Sequence, residues 1–201
     1  MREAVKHVAH VLAWVAVTPS VWSWRLRAEV MGKDRAIEGS TQAWALVPGI
    51  AGQYLRRAFL SRTLASCART ATIEFGTLFS SASATIGDRA YIGPRCHLGW
   101  ALIEPDVLLA AGVHVPSGAR THGIDDTLTP IRDQPLVKAP VRIGRGSWVG
   151  SAAVVMANVG VDAVVGAGAV VTRPIPDCTI AGGVPARILR RRETGLGERL
   201  A

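Results

Sequence analysis

IGRGSW, VGSAAV, VMANVG, VDAVVG, AGAVVT: residues 143 to 172, cut into words of six, decide the fold. The first position of each word holds Ile143, Val149, Val155, Val161 and the small Ala167. The fifth holds Ser147, Ala153, Val159, Val165 and Val171, all small or β-branched, and Gly144, Gly150 and Gly168 share the second. Arg145 and Asp162 are the only charges. A helix repeats every 3.6 residues and is disfavoured by glycine and β-branched side chains. A period of six instead asks for a solenoid, in which each hexad supplies a short strand stacked on the hexad one coil away. First-position side chains then point inward, and the stacked coils share one core.

The same period runs upstream. Hexads open at Ile73, Phe79, Ile86, Ile92, Leu98, Ile103, Leu109 and Val115. Their fifth positions are Thr77, Ser83, Ala90, Cys96, Leu102, Val107, Val113 and Ala119, and the phase slips near 85 and near 103, as it would at corners between faces. Residues 121–142, THGIDDTLTPIRDQPLVKAPVR, contain three prolines and no hexad. This predicts a loop protruding from the solenoid, and a loop of that length in a regular scaffold is usually functional.

Three regions follow: a helical region 1–68, the solenoid 69–180 and a basic tail 181–201. Residues 1–31 read as a helix with Val5, Val8, Leu12 and Ala16 on one stripe, interrupted at Pro19. The apolar run Val8 to Val17 is far shorter than the roughly 20 residues that span a bilayer. Arg2 and Lys6 before it suit a signal peptide, but no clear small-residue cleavage site follows. Trp14, Trp22 and Trp24 lie close to Arg25 and Arg27, a pairing that suits a membrane interface as well as a helix packed on the solenoid or on a neighbouring subunit. Residues 32–41 read as a polar linker. A second helix follows Pro48, from Gly49 to Leu64, carrying Arg56, Arg57 and Arg62, and is placed to plug the open end of the solenoid. Arg187, Arg190, Arg191 and Arg192 make the tail basic, and residues 193–201 are expected to fray.

A formal charge of +8 over 201 residues points to an anionic partner: nucleic acid, a membrane surface or a phosphate-bearing cofactor. Nucleic acid is least favoured, because the basic residues are not interleaved with aromatics in a binding motif. Cys67, Cys96 and Cys178 are odd in number and scattered, which fits a reducing compartment and no disulfide framework. His97 and His114 each precede a hexad opener and stand about one coil apart, so they should stack on the outside of one face.

Over about residues 70 to 192 the sequence resembles the hexapeptide-repeat acyltransferases, including the maltose and galactoside O-acetyltransferases and those of polysaccharide biosynthesis. The resemblance implies a left-handed parallel β-helix of about five coils, three hexads each, in a homotrimer whose sites lie between subunits. It implies acetyl-CoA as donor and no metal. His122, in RTHGIDD, is similar to the family's general base, with Asp125 or Asp126 available to orient its ring. Ser151 in WVGSAAV and Ala167 in VGAGAVVT match positions along the pantetheine arm. Thr172 and Arg173 match a Thr-Lys pair near the phosphates, and Arg187 and Arg190 after GGVPA match basic residues near the adenosine phosphates. His97, Trp100 and Glu104 occupy the region where sugar-acetylating members hold the acceptor. The reading is an acyl-CoA-dependent acyltransferase acting on a sugar or polysaccharide precursor, cytoplasmic or at the inner face of the membrane. One alternative is a zinc lyase resembling the γ-class carbonic anhydrases, using His97, His114 and His122. The spacing of the last two, eight rather than that family's five, counts against it. The other is a non-catalytic scaffold or lipid-surface binding protein.

Overall fold

The computed structural model of the chain describes residues 2–193, with the side chains of residues 2–5 left out. The expected fraying beyond Glu193 lies outside the described residues. The solenoid is a left-handed parallel β-helix with three faces. The first face stacks Ser66–Cys67, Thr85–Ile86, Ala101–Ile103 and Val141–Ile143, continued by the bridges from Ile143 to Val159 and from Val159 to Ile175. The second stacks Thr72–Ile73, Tyr91–Ile92, Leu108–Leu109, Trp148–Val149, Val164–Val165 and Thr179–Gly182. The third stacks Leu78–Phe79, His97–Leu98, His114–Val115, Val154–Val155 and Val170–Val171. The stack begins at Ser66, because Cys67 pairs with Ile86, so there are about six coils rather than five.

Each two-residue strand sends one side chain out and the next in. The inward residues from Ile73 to Val155 are almost completely buried. Each contributes roughly 1.5–3 kcal/mol of burial free energy. Ser147 is buried too, but its hydroxyl donates to Gly160 O (2.6 Å) and accepts from Ala163 N (3.0 Å), so that hydroxyl is paired.

The hexad phase read from Ile143 onward fails after Val155. Val161 is half-buried and Ala167 exposed; the inward column is Val159, Val165, Val171, Ile175 and Ala181. The cause is a shortened corner. From second face to third, and from first to second, inward residues are always six apart: Ile73 to Phe79, Ile143 to Val149, Val165 to Val171. At the corner from third face to first, the step is seven from Phe79 to Ile86, five from Leu98 to Ile103, twenty-eight from Val115 to Ile143, and four from Val155 to Val159 and from Val171 to Ile175. All length variation in the helix falls at this one corner. Expected fifth-position residues there, Ser83 and Ala119, face solvent, while Ala84 takes an inner place. The late coils are tight enough that a Cβ on Gly144 would lie 2.6 Å from Gly160 C, within the backbone of the next coil.

Four helices close the N-terminal end: α1 (Arg2–Ala16), α2 (Thr18–Met31), α3 (Lys33–Ala45) and α4 (Gly49–Leu60). Pro19 starts α2 rather than interrupting a helix, since its missing N–H falls in the first turn. The stripe Val8, Leu12, Ala16 is exposed; Ala13, Val17, Val21 and Trp24 are the residues buried on the core. Val5 lies outside the described side chains. The expected linker 32–41 is helical. Its polar composition hides a small-residue face, Ala36, Ile37, Ser40 and Thr41, that packs on the first coils, with Thr41 Oγ1 accepting from Phe79 N (3.3 Å). Asp34 accepts from Ala82 N (3.0 Å) and pairs with Lys138 of the loop (2.6 Å). The helix after Pro48 stops at Leu60, four residues early. Phe59 and Leu60 plug the end of the core, and Arg56 is buried beside them, donating to Ile73 O, Val47 O and Trp44 O. Among the described residues no helix is long and apolar enough to cross a membrane.

Candidate active site

The third face and the two corners beside it gather most of the residues singled out by sequence. Leu78, His97, His114, Val154 and Val170 form its outward row. The imidazoles of His97 and His114 stack, with centroids 4.9 Å apart and planes 10° from parallel. Burial, then the neighbouring His97, pushes the His114 imidazole below its ordinary value. His114 was left out of the acceptor set on sequence, although its spacing from His97 already signalled the stack.

One flank is the six-residue corner between second and third faces. Ser151 and Ala167 sit there in successive coils, both exposed. Gly168 N donates to Ser151 O (2.8 Å), and a Cβ on Gly150 would lie 2.5 Å from Ala167 N. The glycine lets two coils close to contact distance and leaves a narrow ledge of small side chains along the edge.

The other flank is the variable corner. Trp100, half-buried, donates its backbone N–H to Ser117 Oγ (2.9 Å), and its carbonyl accepts from Val141 N (2.9 Å), spanning the base of the loop. The loop leaves after Val115 and folds on itself. Ala139 N donates to Ser117 O (2.9 Å), Val137 N to Thr121 O (3.3 Å) and Gly123 N to Pro135 O (3.0 Å). Buried Gln134 ties the inside through Nε2 to Asp126 O (2.6 Å) and Thr129 O (2.8 Å). Asp126 accepts from Thr129 Oγ1 and Leu128 N, and those bonds hold its carboxyl below the usual range. Asp126 is therefore committed to the loop. His122 and Asp125 are both exposed on the loop, and among the described bonds neither carboxylate reaches His122.

Thr172 and Arg173 occupy the same variable corner one coil past Met156, and both are exposed. The basic tail is partly structured. Arg187–Arg191 form a strand antiparallel to Thr179–Gly182, with Arg187 opposite Gly182 and Arg190 opposite Ile180, and all five residues are exposed. The connection lies across the end of the third face, with Ala186 N donating to Val170 O (2.8 Å). The arginines thus stand at the same end as Ser151, Ala167, Thr172 and Arg173.

Glu104 does not join this group. It ends the first face, and its carboxylate already accepts from Arg142 Nε (2.6 Å) and Arg145 N (2.8 Å). Burial alone would raise its pKa, but these two bonds outweigh that and hold it low. Glu104 clamps adjacent coils at a corner one whole face away from Trp100. Among the described residues no three His, Cys, Asp or Glu side chains gather closely enough to hold a metal ion.

No family model matches the chain. A galactoside O-acetyltransferase of Escherichia coli is 32% identical over 117 residues, 57% of this chain and 47% of that protein. A Mycobacterium tuberculosis protein named "Probable acetyltransferase Rv3034c" is 42% identical over 74 residues, 36% of this chain and 25% of its own length. The aligned stretches therefore cover half or less of these relatives. The crystal structure of a maltose O-acetyltransferase from Clostridium difficile superposes with a TM-score of 0.67 at 22% identity, covering 80% of this chain and 88% of that one. A galactoside acetyltransferase in complex with coenzyme A superposes at 0.62, also at 22% identity, over 86% of this chain and 82% of that one.

Both relatives carry the name acetyltransferase.

The shared fold is the hexapeptide-repeat β-helix.

Proposed function

We propose that this protein is an acyl-CoA-dependent acyltransferase that acetylates a hydroxyl of a sugar or polysaccharide precursor, with His122 as general base. The observation that carries this reading is the layout of the third face. A ledge of small residues, Ser151 and Ala167, runs along one edge; basic residues mark the C-terminal end, Arg173 at the far corner and Arg187 and Arg190 on the strand added to the adjoining second face; a folded loop leaves from the other edge and carries an exposed imidazole. A thioester cofactor with a long uncharged arm and a phosphate end needs the first two, and a hydroxyl acceptor needs the third.

In this mechanism the neutral His122 ring takes the acceptor's O–H proton as the oxygen attacks the thioester carbonyl. Backbone N–H groups beside the ledge stabilise the oxyanion. The C–S bond then breaks, and the departing coenzyme A thiolate takes the proton held by the His122 imidazolium, which restores the base. His97, His114 and Trp100 line the acceptor's approach; Asp125 is the remaining carboxylate near His122. Glu104 serves the fold instead. The site is completed by a neighbouring subunit in a homotrimer, a reading supported by the apolar row Tyr91, Leu108 and Trp148 left exposed in register on the second face. The same proposal places the enzyme at the inner membrane face, touched through residues 1–30.

The test is thiol release from acetyl-CoA with a panel of saccharide acceptors. Acceptor-dependent release is expected, lowered by about 100-fold or more in His122→Ala. Release that needs no acceptor, or that persists in His122→Ala within about threefold, would overturn the assignment.

A further inference from the structure

Helices α1 and α4 pack side by side, and a cleft opens along their seam. One half is an apolar groove of about 450 Å³ lined by Leu12, Ala13, Ala16, Ile50 and Leu55. The other half is a basic pocket of about 720 Å³ lined by His7, His10, Arg57, Arg69 and Thr70. Tyr54 borders both. Arg57 lies over the Tyr54 ring at 4.8 Å and approaches His10 Nε2 at 3.3 Å; its buried Nε has no acceptor among the described residues. Arg69 is exposed and, among the described residues, in no ion pair. Burial and then the charges of Arg57 and Arg69 push the His10 imidazole down, which is how a concentrated positive field acts on a neighbouring base.

The surface around the cleft is apolar in a way the solenoid does not require. While α1, α2 and the link between them bury Ala13, Val17, Val21 and Trp24, the two helices also send Val8, Leu12 and Val15, and Trp22, Leu26 and Val30, into solvent at helical spacing. Val30 is 86% exposed and Leu26 70%. Beside these stripes Arg62 stacks on Trp14 at 4.1 Å and Arg25 on Trp22 at 5.2 Å. Tryptophan capped by arginine at the edge of an apolar stripe matches the chemistry of the headgroup layer, wet on one side and hydrocarbon on the other.

We propose that the cleft between α1 and α4 binds an acidic phospholipid of the bilayer, its phosphate against Arg57 and Arg69 and the start of its chain in the groove of Leu12 and Ile50. This rests on the peripheral membrane contact inferred above and gives it a site. Free phosphate would fill only the basic half; Arg57 already donates to Ala71 O (2.8 Å), so a neutral lipid would leave its charge and that of Arg69 without a counter-charge. An acidic lipid satisfies both halves at once, and the exposed stripes of α1 and α2 bring the cleft to where such lipids are.

The experiment is co-sedimentation of the full chain with vesicles of phosphatidylcholine alone or mixed with phosphatidylglycerol. Wild type is expected to bind the acidic vesicles at least tenfold more strongly. Arg69→Glu and Leu12→Glu, both at exposed positions, should each lower that binding about tenfold while leaving the thermal midpoint within a few degrees. Arg132→Glu, the same charge change on the distant loop, should lower it less than threefold. If wild type ignores acidic vesicles, both the site and the membrane contact fall. If wild type binds but Arg69→Glu and Leu12→Glu bind equally well, or Arg132→Glu is as damaging as Arg69→Glu, the site alone is wrong. If millimolar inorganic phosphate strips the protein from vesicles and Leu12→Glu has no effect, the pocket takes phosphate and not lipid.

Discussion

The two corners that border the third face obey different rules. The corner carrying Ser151 and Ala167 repeats every six residues without exception, and its glycine brings backbones to contact. The corner carrying Trp100, the loop and Thr172-Arg173 takes steps of seven, five, twenty-eight, four and four. In the proposed enzyme the first holds the donor's uncharged arm, while the second presents the base and, at its C-terminal end, Arg173 for the donor's phosphates. A donor common to all turnovers can be served by a rigid rail. The acceptor side needs a projecting loop, and a projection is tolerated only where coil length is already free.

That contrast can be broken most directly by inserting one glycine. After Ser151, the insertion pushes the following strand out of register, and one residue of slip exchanges inward and outward side chains. The expected cost is more than about 3 kcal/mol, or a fall of roughly 10 °C in Tm for a chain of this size. After Ala157, at the variable corner, the fall should stay within about 3 °C. Differential scanning calorimetry decides it, and equal losses at both places would refute the distinction.

The next effect is catalytic. His122→Ala should lower acyl transfer by about 10²–10⁴ with folding and coenzyme A affinity unchanged, because the residue serves the acceptor corner only. His97→Ala and His114→Ala should cost less. A parallel drop in coenzyme A affinity, read by titration calorimetry, would show that the corners do not divide the labour in this way.

Arg173→Ala sharpens the comparison from the donor end. Charge-assisted contacts to phosphate contribute about 1.5–3 kcal/mol each when partly desolvated, so the coenzyme A Kd should rise about tenfold or more. An unchanged Kd would remove Arg173 from the donor path and leave the phosphates to Arg187 and Arg190.

The smallest effect concerns the tie between loop and helices. Burial would raise the Asp34 carboxyl, but Lys138, Ala82 N and Ser81 outweigh it and hold it below its ordinary value. A depressed carboxylate adds stability above its unfolded pKa, near 4, and loses it as pH falls through the lower folded value. The pair is more than one-third exposed, so screening limits it to below about 1 kcal/mol. Asp34→Asn should therefore lower Tm by less than about 4 °C at pH 7 and by progressively less as pH falls below about 4. A loss that persists at low pH would assign the effect to packing of α3.

The sequence disclosed the inward column as far as Val155, because period and hydrophobicity agreed there. Beyond it they still agreed, in the wrong phase: Val159, Val161, Val165 and Val171 are all β-branched, and a corner shortened by two residues leaves a period of six intact on either side. Helix α3 was hidden because GKDRAIEGST looks polar when its buried face needs only Ala36, Ile37, Ser40 and Thr41. Glu104 was placed with Trp100 on nearness in sequence, yet four residues in this fold cross an entire face. His97 and His114 were legible because seventeen residues is one coil in that part of the chain.

The twenty-eight-residue step also bears on how the chain reaches its shape. Every other coil closes across a few residues, so each newly formed rung recruits the next at little entropic cost. Joining Val115 to Ile143 costs about 1.4 kcal/mol more than closing six residues, by the logarithmic loop law, which slows growth past that gap roughly tenfold. The rungs on either side should therefore form as two separate blocks, and the Ser117–Ala139 bond, drawing the stem of the excursion together, is the event that splices them.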